Sequence, residues 1–191
     1  MKSLKGTKTE RVLLTAFAGE SQARNRYTYF ASAAKKEGFE QISGIFLETA
    51  ENEKEHAKIF FKFLEGGETE ITATYPAGMI CKTAENLEAA ANGEKLEWSK
   101  LYVDAENTAR QEGFEEVAKA FKEIAEVEEQ HEKRYRTLLK DVREGKVFKK
   151  DAVVKWHCRN CGYVHEGKEA PAKCPACSHP QAYYEVFAEN Y

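Results

Sequence analysis

Aspartate and proline are scarce in this chain of 191 residues. Only three of its 32 acidic residues are aspartates, and only four of its residues are prolines. Glutamate suits a helix interior better than aspartate or proline does, so this scarcity predicts a mainly α-helical protein. Three of the prolines, Pro171, Pro175 and Pro180, follow residue 170. This change in composition predicts a helical domain followed by a short, turn-rich C-terminal domain, with a boundary near residues 146–155.

Long apolar runs and an excess of basic residues are also missing. No run approaches the roughly 18–20 apolar residues of a membrane-spanning helix, and the opening MKSLKGTKTER has no apolar stretch after its positive charges. With 29 Lys and Arg against 32 acidic residues, the net charge is −3. This balance argues against binding to nucleic acid or to an acidic membrane surface. We therefore expect a soluble protein without a secretion signal.

The five cysteines are unevenly distributed. Cys81 stands alone, whereas the other four form two Cys-x-x-Cys pairs separated by 12 residues. Two such pairs in a chain without a secretion signal predict a metal site in a reducing compartment rather than disulfides. Four thiolates around a tetrahedral centre fit either zinc or a single iron. The predicted ligands are Cys158, Cys161, Cys174 and Cys177.

The helical part contains an internal repeat of about 75 residues. Each copy consists of a predicted helix, a glycine break and a second helix, so the two copies predict a four-helix bundle. A shift of 74 residues aligns one pair of segments and a shift of 75 aligns the others. The aligned positions are Gly19-Glu20 with Gly93-Glu94, then Tyr27 with Tyr102, and Glu53-x-x-His56 with Glu128-x-x-His131.

The connection between the two copies is long. It breaks helical periodicity from Gly66 to about Gly78, and we expect a further short helix from Thr83 to Ala91. A tight loop would place the second and third helices side by side. A connection of this length can instead cross the bundle, as it does in ferritin-like folds.

Charged residues interrupt the apolar face of every helix of the predicted bundle. A buried carboxylate without a counter-charge costs many kcal/mol. The apolar helix faces that contain the Glu-x-x-His motifs carry no lysine or arginine between the Glu and His positions. Multivalent cations are therefore the simplest explanation for these buried charges. Two Glu-x-x-His helices plus one glutamate from each of the other helices supply a dinuclear site. Mixed carboxylate and imidazole ligands suit iron or manganese. The predicted ligands are Glu20, Glu53, His56, Glu94, Glu128 and His131.

Glu97 exceeds this minimal ligand set. It follows Glu94 by three residues and shares its helix face, on which we also expect Leu101. An extra carboxylate can act as an alternative metal ligand, or it can accept a hydrogen bond beside the ligands. Other glutamates, such as Glu55, Glu116 and Glu132, have the pattern of exposed charges.

Together these motifs resemble the rubrerythrin family over essentially the whole chain. The resemblance implies a ferritin-like bundle with two non-haem irons over residues 1–147. It further implies a small rubredoxin-like β/loop domain with one iron over residues 153–191, and zinc is a possible misloaded metal. The residues that carry the resemblance are Glu20, Glu53-x-x-His56, Glu94-x-x-Glu97, Glu128-x-x-His131, Cys158-x-x-Cys161-Gly-Tyr and Cys174-Pro-x-Cys177.

The resemblance also implies an activity, namely reduction of hydrogen peroxide to water in the cytoplasm of an anaerobe or microaerophile. Electrons would originate from NAD(P)H and arrive through a reductase or a rubredoxin-type donor, and the protein would be at least a homodimer. Glu97 would exchange with His56 as a ligand to one iron. Tyr27 and Tyr102 resemble hydrogen-bond donors to the ligand carboxylates, although simple core packing explains tyrosines there equally well.

Two other functions are compatible with these residues. The first is iron oxidation and storage in a ferritin-like shell, which the C-terminal module would make awkward to pack. The second is a metal-binding bundle that carries a structural zinc ribbon without electron transfer.

Overall fold

A computed structural model of the protein describes residues 2–190, so Met1 and Tyr191, the outermost residues of the two predicted domains, lie outside the described part. The described chain begins with five α-helices. A π-helical turn joins two of them into one continuous helix, the third helix of a four-helix bundle. The elements are α1 (Lys8–Lys36), α2 (Glu40–Phe63), α3 (Thr83–Leu96), the π-helical turn (Glu97–Leu101), α4 (Tyr102–Gln111) and α5 (Glu115–Arg143). The predicted mainly α-helical bundle is confirmed.

The predicted short helix from Thr83 to Ala91 is wrong as a separate element. α3 continues through these residues to Leu96, because Gly93 adopts ordinary helical geometry and does not end it. Residues 83–91 are therefore the first turns of the third helix.

The π-helical turn explains why the repeat needs two different shifts. A π-helical turn inserts one residue into an α-helix. The shift changes from 74 at Glu94 to 75 at Tyr102, and the turn from Glu97 to Leu101 lies between these two positions. The added residue rotates Leu101 away from the predicted core face and leaves it 44% exposed.

Helix termini follow the sequence pattern. The Thr7 hydroxyl accepts a hydrogen bond from the Glu10 backbone N–H at 3.1 Å and so caps α1. Gly38 and Gly113 have φ values of 82° and 77° after α1 and α4, where a left-handed residue ends a helix. These two glycines occupy equivalent positions in the two repeats.

The helices associate in pairs. α1 packs mainly against α2, and α5 packs mainly against α3 and α4. Residues 64–82 connect the pairs as an extended, largely exposed segment without regular secondary structure. This arrangement is that of a ferritin-like bundle, in which the long connection carries the chain from one pair to the other. Within residues 2–190, no helix combines the length and the apolar character needed to cross a bilayer.

A polar layer divides the core of the bundle into two apolar clusters. The cluster at one end includes Tyr27, Phe30, Ile42, Phe46, Leu87 and Tyr135. The cluster at the other end includes Leu13, Phe60, Tyr102, Ala109, Val117 and Phe121. The predicted metal ligands lie between them in sequence along every helix.

The C-terminal part forms a three-stranded antiparallel sheet in the order β2-β1-β3. Its strands are β1 (Lys149–Cys158), β2 (Val164–Glu169) and β3 (Tyr184–Val186). Trp156 and Tyr184 are fully buried in its small core. The sheet docks beside the α1–α2 turn, where Phe148 stacks on Phe39 with ring centroids 6.1 Å apart.

Candidate metal centres

The polar layer of the bundle contains four glutamates and two histidines. The glutamates are at most 1% exposed, and the histidines are at most 7% exposed. The i, i+3 spacing places the Glu and His of each motif on the same face of their helix. All four helices contribute: Glu20 from α1, Glu53 and His56 from α2, Glu94 from α3, and Glu128 and His131 from α5.

These side chains form two overlapping groups of potential metal ligands. In each group, one donor atom from every member lies within 4.8 Å of the others. Glu53 and Glu128 belong to both groups. This sharing is the arrangement expected for two neighbouring ions bridged by two carboxylates. The groups are Glu20, Glu53, His56 and Glu128, and Glu53, Glu94, Glu128 and His131.

The orientation of the donor atoms fits metal ligation better than mutual hydrogen bonding. His56 Nδ1 lies 2.9 Å from a Glu53 oxygen and 2.8 Å from a Glu128 oxygen, and His131 Nδ1 lies 2.7 Å from the other Glu128 oxygen. Despite these distances, the two Nδ1 atoms and the four carboxylate oxygens of Glu53 and Glu128 have no partner with hydrogen-bond geometry. Buried polar atoms without partners are costly. Ions shared by these atoms would satisfy all of them at once.

The carboxylates also change the proton affinity of the two imidazoles. Burial alone lowers the pKa of His56, but the Glu128 and Glu53 carboxylates outweigh it and raise that pKa to about 10. The same opposing effects raise the pKa of His131 to about 9. A metal ion binds the neutral imidazole, so loading this site with metal must release these protons.

Crowding also raises the pKa of three carboxyl groups in and beside the layer. Burial, reinforced by the charges of the neighbouring glutamates, raises the pKa of Glu20 and Glu94 well above its usual value. Burial and the charges of Glu128 and Glu53 raise the pKa of Glu97 to about 8. A divalent cation favours the ionised carboxylates and reverses these shifts.

Glu97, the predicted extra ligand, borders the layer without joining either group. It begins the π-helical turn, is only partly buried and lies beside Glu94. Glu97 also forms part of the wall of a cavity of about 520 Å³ that lies between α1, the third helix and residues 74–76 of the long connection. We call this cavity the Glu97 groove; its apolar lining includes Val12, Ala16, Leu96, Leu101, Ala105 and Phe121.

Two tyrosines donate hydrogen bonds into the layer. The Tyr27 hydroxyl donates to Glu94 and the Tyr102 hydroxyl donates to Glu20, each at 2.5 Å. Both tyrosines are buried. The two bonds are related by the internal repeat, since each joins α1 to the third helix in opposite directions. The two bonds therefore orient Glu94 and Glu20, each of which belongs to only one of the two ligand groups.

One interaction beside the layer was not predicted from the sequence. The Trp98 indole N–H donates to Glu132 at 2.8 Å and ties the π-helical turn to α5. The prediction that Glu132 is an ordinary exposed charge is therefore wrong, because this bond and a second from Arg136 hold it at the helix interface. Glu55 and Glu116 are exposed as expected. Trp98 follows Glu97 directly and lies within the π-helical turn.

The four predicted cysteines also converge. Cys158 Sγ lies 3.8 Å from Cys177 Sγ, and Cys161 Sγ lies 3.7 Å from Cys174 Sγ. A disulfide requires about 2.05 Å, so these sulfurs are not bonded to each other. A tetrahedral ion with metal–sulfur bonds of about 2.3 Å separates its sulfurs by roughly 3.8 Å. The spacing therefore fits one four-coordinate metal ion.

The two cysteine pairs have matching backbone turns. The N–H of Gly162 donates to the Cys158 carbonyl, and the N–H of Ser178 donates to the Cys174 carbonyl. Gly162 has φ of 82°, and Ser178 adopts φ of 61° at the equivalent position. A backbone hydrogen bond from His179 lowers the pKa of the Cys177 thiol to about 6, which favours the thiolate that binds metal. Cys81 belongs to none of the ligand groups in the described chain.

Comparisons with known proteins agree with both candidate centres. The rubrerythrin family model matches residues 11–139, and the model for the rubrerythrin rubredoxin-like domain matches residues 156–185. A rubrerythrin of Porphyromonas gingivalis is 62% identical over 190 residues, which cover 100% of this chain and 95% of the relative.

Solved structures extend this similarity to the fold. Nigerythrin in its fully reduced, all-ferrous state is 29% identical with a TM-score of 0.64, and the match covers 97% of this chain and 92% of nigerythrin. A bacterioferritin of Mycobacterium tuberculosis is 18% identical with a TM-score of 0.64, and the match covers 75% of this chain and 90% of the bacterioferritin. The second match shows the ferritin-like fold alone.

Both donor sets match the cofactors of rubrerythrins, an oxidoreductase family of di-iron proteins that act in oxidative-stress defence. The carboxylate and histidine layer corresponds to the di-iron site, and the four cysteines correspond to the rubredoxin-like one-iron site. With both family models matched in order and 62% identity to a curated relative along the whole chain, this chain belongs to the rubrerythrin family.

Proposed function

We propose that the protein is a non-haem di-iron peroxidase that reduces hydrogen peroxide to water and protects an anaerobe or microaerophile against oxidative stress. One observation carries the proposal: two buried ligand groups share Glu53 and Glu128, while the partly exposed Glu97 connects this layer to a groove. Two ions held side by side suit a two-electron reduction.

The residues of the layer would divide the work of holding two irons. When bound, ferrous irons supply the two electrons and polarise the O–O bond of the peroxide. Glu53 and Glu128 would bridge the two ions, because both ligand groups contain them. The remaining ligands would be Glu20 and His56 for one ion, and Glu94 and His131 for the other.

Glu97 and His56 would act as alternative ligands to the same iron. A carboxylate is a harder, anionic ligand than imidazole, so it suits the more positive oxidised centre better. Tyr27 and Tyr102 would keep the Glu94 and Glu20 carboxylates oriented through both states. Burial raises the pKa of both phenols well above its usual value, so the hydroxyls keep the protons that they donate.

The four-cysteine site would relay single electrons to the bundle. The electrons would originate from NAD(P)H and arrive through a reductase or a rubredoxin-type donor. We assign the reaction to the cytoplasm, where reducing conditions keep such thiols available to iron.

The C-terminal sheet docks on α2 of the bundle, and we expect a homodimer or a larger assembly. Arg159, inside the first cysteine pair, contacts α2 at Gly44, where a Cβ atom would lie 2.6 Å from its guanidinium. Gly44 precedes Glu53 by nine residues, which is about 13.5 Å along a helix. We propose that each four-cysteine site passes its electrons to the di-iron centre of a neighbouring subunit, as the family resemblance implies.

Replacing Glu97 with alanine is expected to slow peroxide reduction much more than it lowers iron content. Loss of a residue that tunes a bound metal typically costs about 10–100-fold in activity. Both ligand groups persist without Glu97, so the bundle should retain its irons. The measurement pairs an NAD(P)H-coupled peroxide assay with metal analysis of the same sample.

Glu116→Ala, which removes an exposed glutamate from α5, is the matched control and should leave both values unchanged. A Glu97→Ala protein that turns over peroxide at the wild-type rate would contradict the role of Glu97. A wild-type protein that ignores peroxide but accumulates a mineral core in a shell-sized particle would instead establish iron storage.

A further inference from the structure

The Glu97 groove is much larger than hydrogen peroxide requires. Its volume is about 520 Å³, whereas one water molecule takes about 30 Å³ of the liquid, and peroxide has only one further oxygen. Its walls are mainly apolar, and Glu97 and Tyr102 are among the polar residues that line it. A small polar peroxide would leave most of this apolar surface without contact.

Two glycines help to keep the groove open. Gly19 and Gly93 line it from α1 and α3, and each directly precedes a repeat-related glutamate of the metal layer. Both lie inside helices with ordinary backbone geometry, where glycine is unfavourable. A Cβ atom on Gly19 would meet nothing within 4 Å, so packing within the described chain does not require glycine there. The empty space beside it belongs to the groove.

Arg26 adds a cation to the lining of the groove. Its guanidinium lies 3.3 Å from the position of a Cβ atom on Gly93, one helical turn before Glu97. Its Nε atom is buried without a hydrogen-bond partner, and within residues 2–190 no carboxylate lies at ion-pair distance from Arg26. The guanidinium can therefore donate to an oxygen atom of a ligand in the groove.

We propose that the Glu97 groove binds the organic group of an alkyl or aryl hydroperoxide, ROOH, with the hydroperoxide oxygens beside Glu97 and Arg26. This inference rests on the proposed peroxidase function and adds a substrate class to it. The reaction is ROOH + 2 e⁻ + 2 H⁺ → ROH + H₂O. The O–O bond breaks, two electrons come from the reduced di-iron centre, and the protons come from solvent. The apolar walls would bind R through the hydrophobic effect.

The test compares cumene hydroperoxide with hydrogen peroxide in wild-type holoenzyme and in the Gly19→Leu variant, with the same reductant. Leucine would fill the groove beside Gly19 and favours a helix. We expect wild type to reduce both peroxides, and the variant to lose at least about tenfold in the ratio of kcat/KM for cumene hydroperoxide to that for hydrogen peroxide. Gly19→Ala should change this ratio in the same direction by a smaller factor. Asn25→Leu adds the same bulk to an exposed position of α1 outside the groove and should leave the ratio unchanged.

A binding measurement separates this inference from activity. Calorimetry of the oxidised holoenzyme with 2-phenyl-2-propanol, the alcohol product, should give a dissociation constant that Gly19→Leu weakens at least about tenfold. Failure to bind the alcohol, or an unchanged ratio in Gly19→Leu, would overturn the inference. A change of oligomeric state in Gly19→Leu without a change in ratio would also overturn it, because the groove would then be an interface between copies. If wild type reduces neither peroxide, the proposed function fails first.

Discussion

Replacing Glu128 with alanine is expected to remove both irons from the bundle and to leave the iron of the four-cysteine site in place. The two oxygens of Glu128 lie 2.8 Å from His56 Nδ1 and 2.7 Å from His131 Nδ1, and both ligand groups contain this residue. Without it, Glu53 would be the one member that the two groups share. Iron per chain is expected to fall from about three to about one, as measured by metal analysis after anaerobic loading.

The visible spectrum distinguishes the two sites in the same sample. Iron bound by four thiolates absorbs visible light by charge transfer, and this absorption should persist in the variant. Glu129→Ala is the matched control, because Glu129 is the exposed neighbour of Glu128 on α5. Glu128→Gln preserves side-chain size and guards against loss of the fold. Full iron content in both Glu128 variants would show that the two groups do not form one dinuclear site.

The metal-free bundle is expected to lose stability as the pH rises from about 5 to about 9. Below about pH 4.5 the Glu97 carboxyl is protonated in both the folded and the unfolded chain, whereas the folded chain keeps this proton up to a pKa of about 8. The folded chain likewise keeps protons on His56 up to about 10 and on His131 up to about 9. A pKa raised by folding contributes stability that is present below the unfolded value and is lost as the pH rises through the folded value.

All three groups act in the same direction within this window. For each extra proton that the folded chain holds, the free energy of unfolding falls by up to about 1.4 kcal/mol per unit rise in pH. Glu128 acts in the opposite direction, because the histidines lower its pKa against the effect of burial. A lowered carboxyl pKa changes stability only at pH values below the unfolded value, so Glu128 has its effect below about pH 4.5. Metal ions replace the bound protons, so the stability difference between loaded and metal-free protein should grow with pH.

Urea unfolding of chelator-treated protein, followed by far-ultraviolet circular dichroism, measures this dependence. The helical signal reports the bundle, since the C-terminal domain is mainly strand and loop. Glu97→Gln should flatten the decline between about pH 5 and pH 8, because it removes one of the groups that hold extra protons. A free energy of unfolding that stays constant or rises across this range in the wild-type protein would contradict the claim that the folded layer holds extra protons.

Repetition made most of the bundle and its candidate site predictable from the sequence. A single Glu-x-x-His is common in a glutamate-rich helix, but two copies in phase with apolar stripes indicate a shared buried site. The four cysteines were predictable for a similar reason, because their paired spacing leaves few other uses for the thiols. In both cases, several residues had to satisfy one chemical requirement together.

The features that escaped prediction depend on a single inserted residue. The change of shift from 74 to 75 was visible, yet only the structure shows that a π-helical turn absorbs it between Glu94 and Tyr102. This turn moves Leu101 out of the core and brings Trp98 onto Glu132. The assignment of the tyrosines also needed three dimensions, because hydrogen bonding and core packing place tyrosine at the same helical positions.

The central claim is that a reduced di-iron centre in this bundle transfers two electrons to hydrogen peroxide. The most direct measurement is rapid mixing of anaerobically reduced holoenzyme with one equivalent of peroxide, and separately with dioxygen, while absorbance follows oxidation of the irons. We predict rapid and complete reoxidation of the di-iron centre by peroxide and slow reoxidation by dioxygen. Equal rates with the two oxidants, or no reaction with peroxide, would contradict the claim.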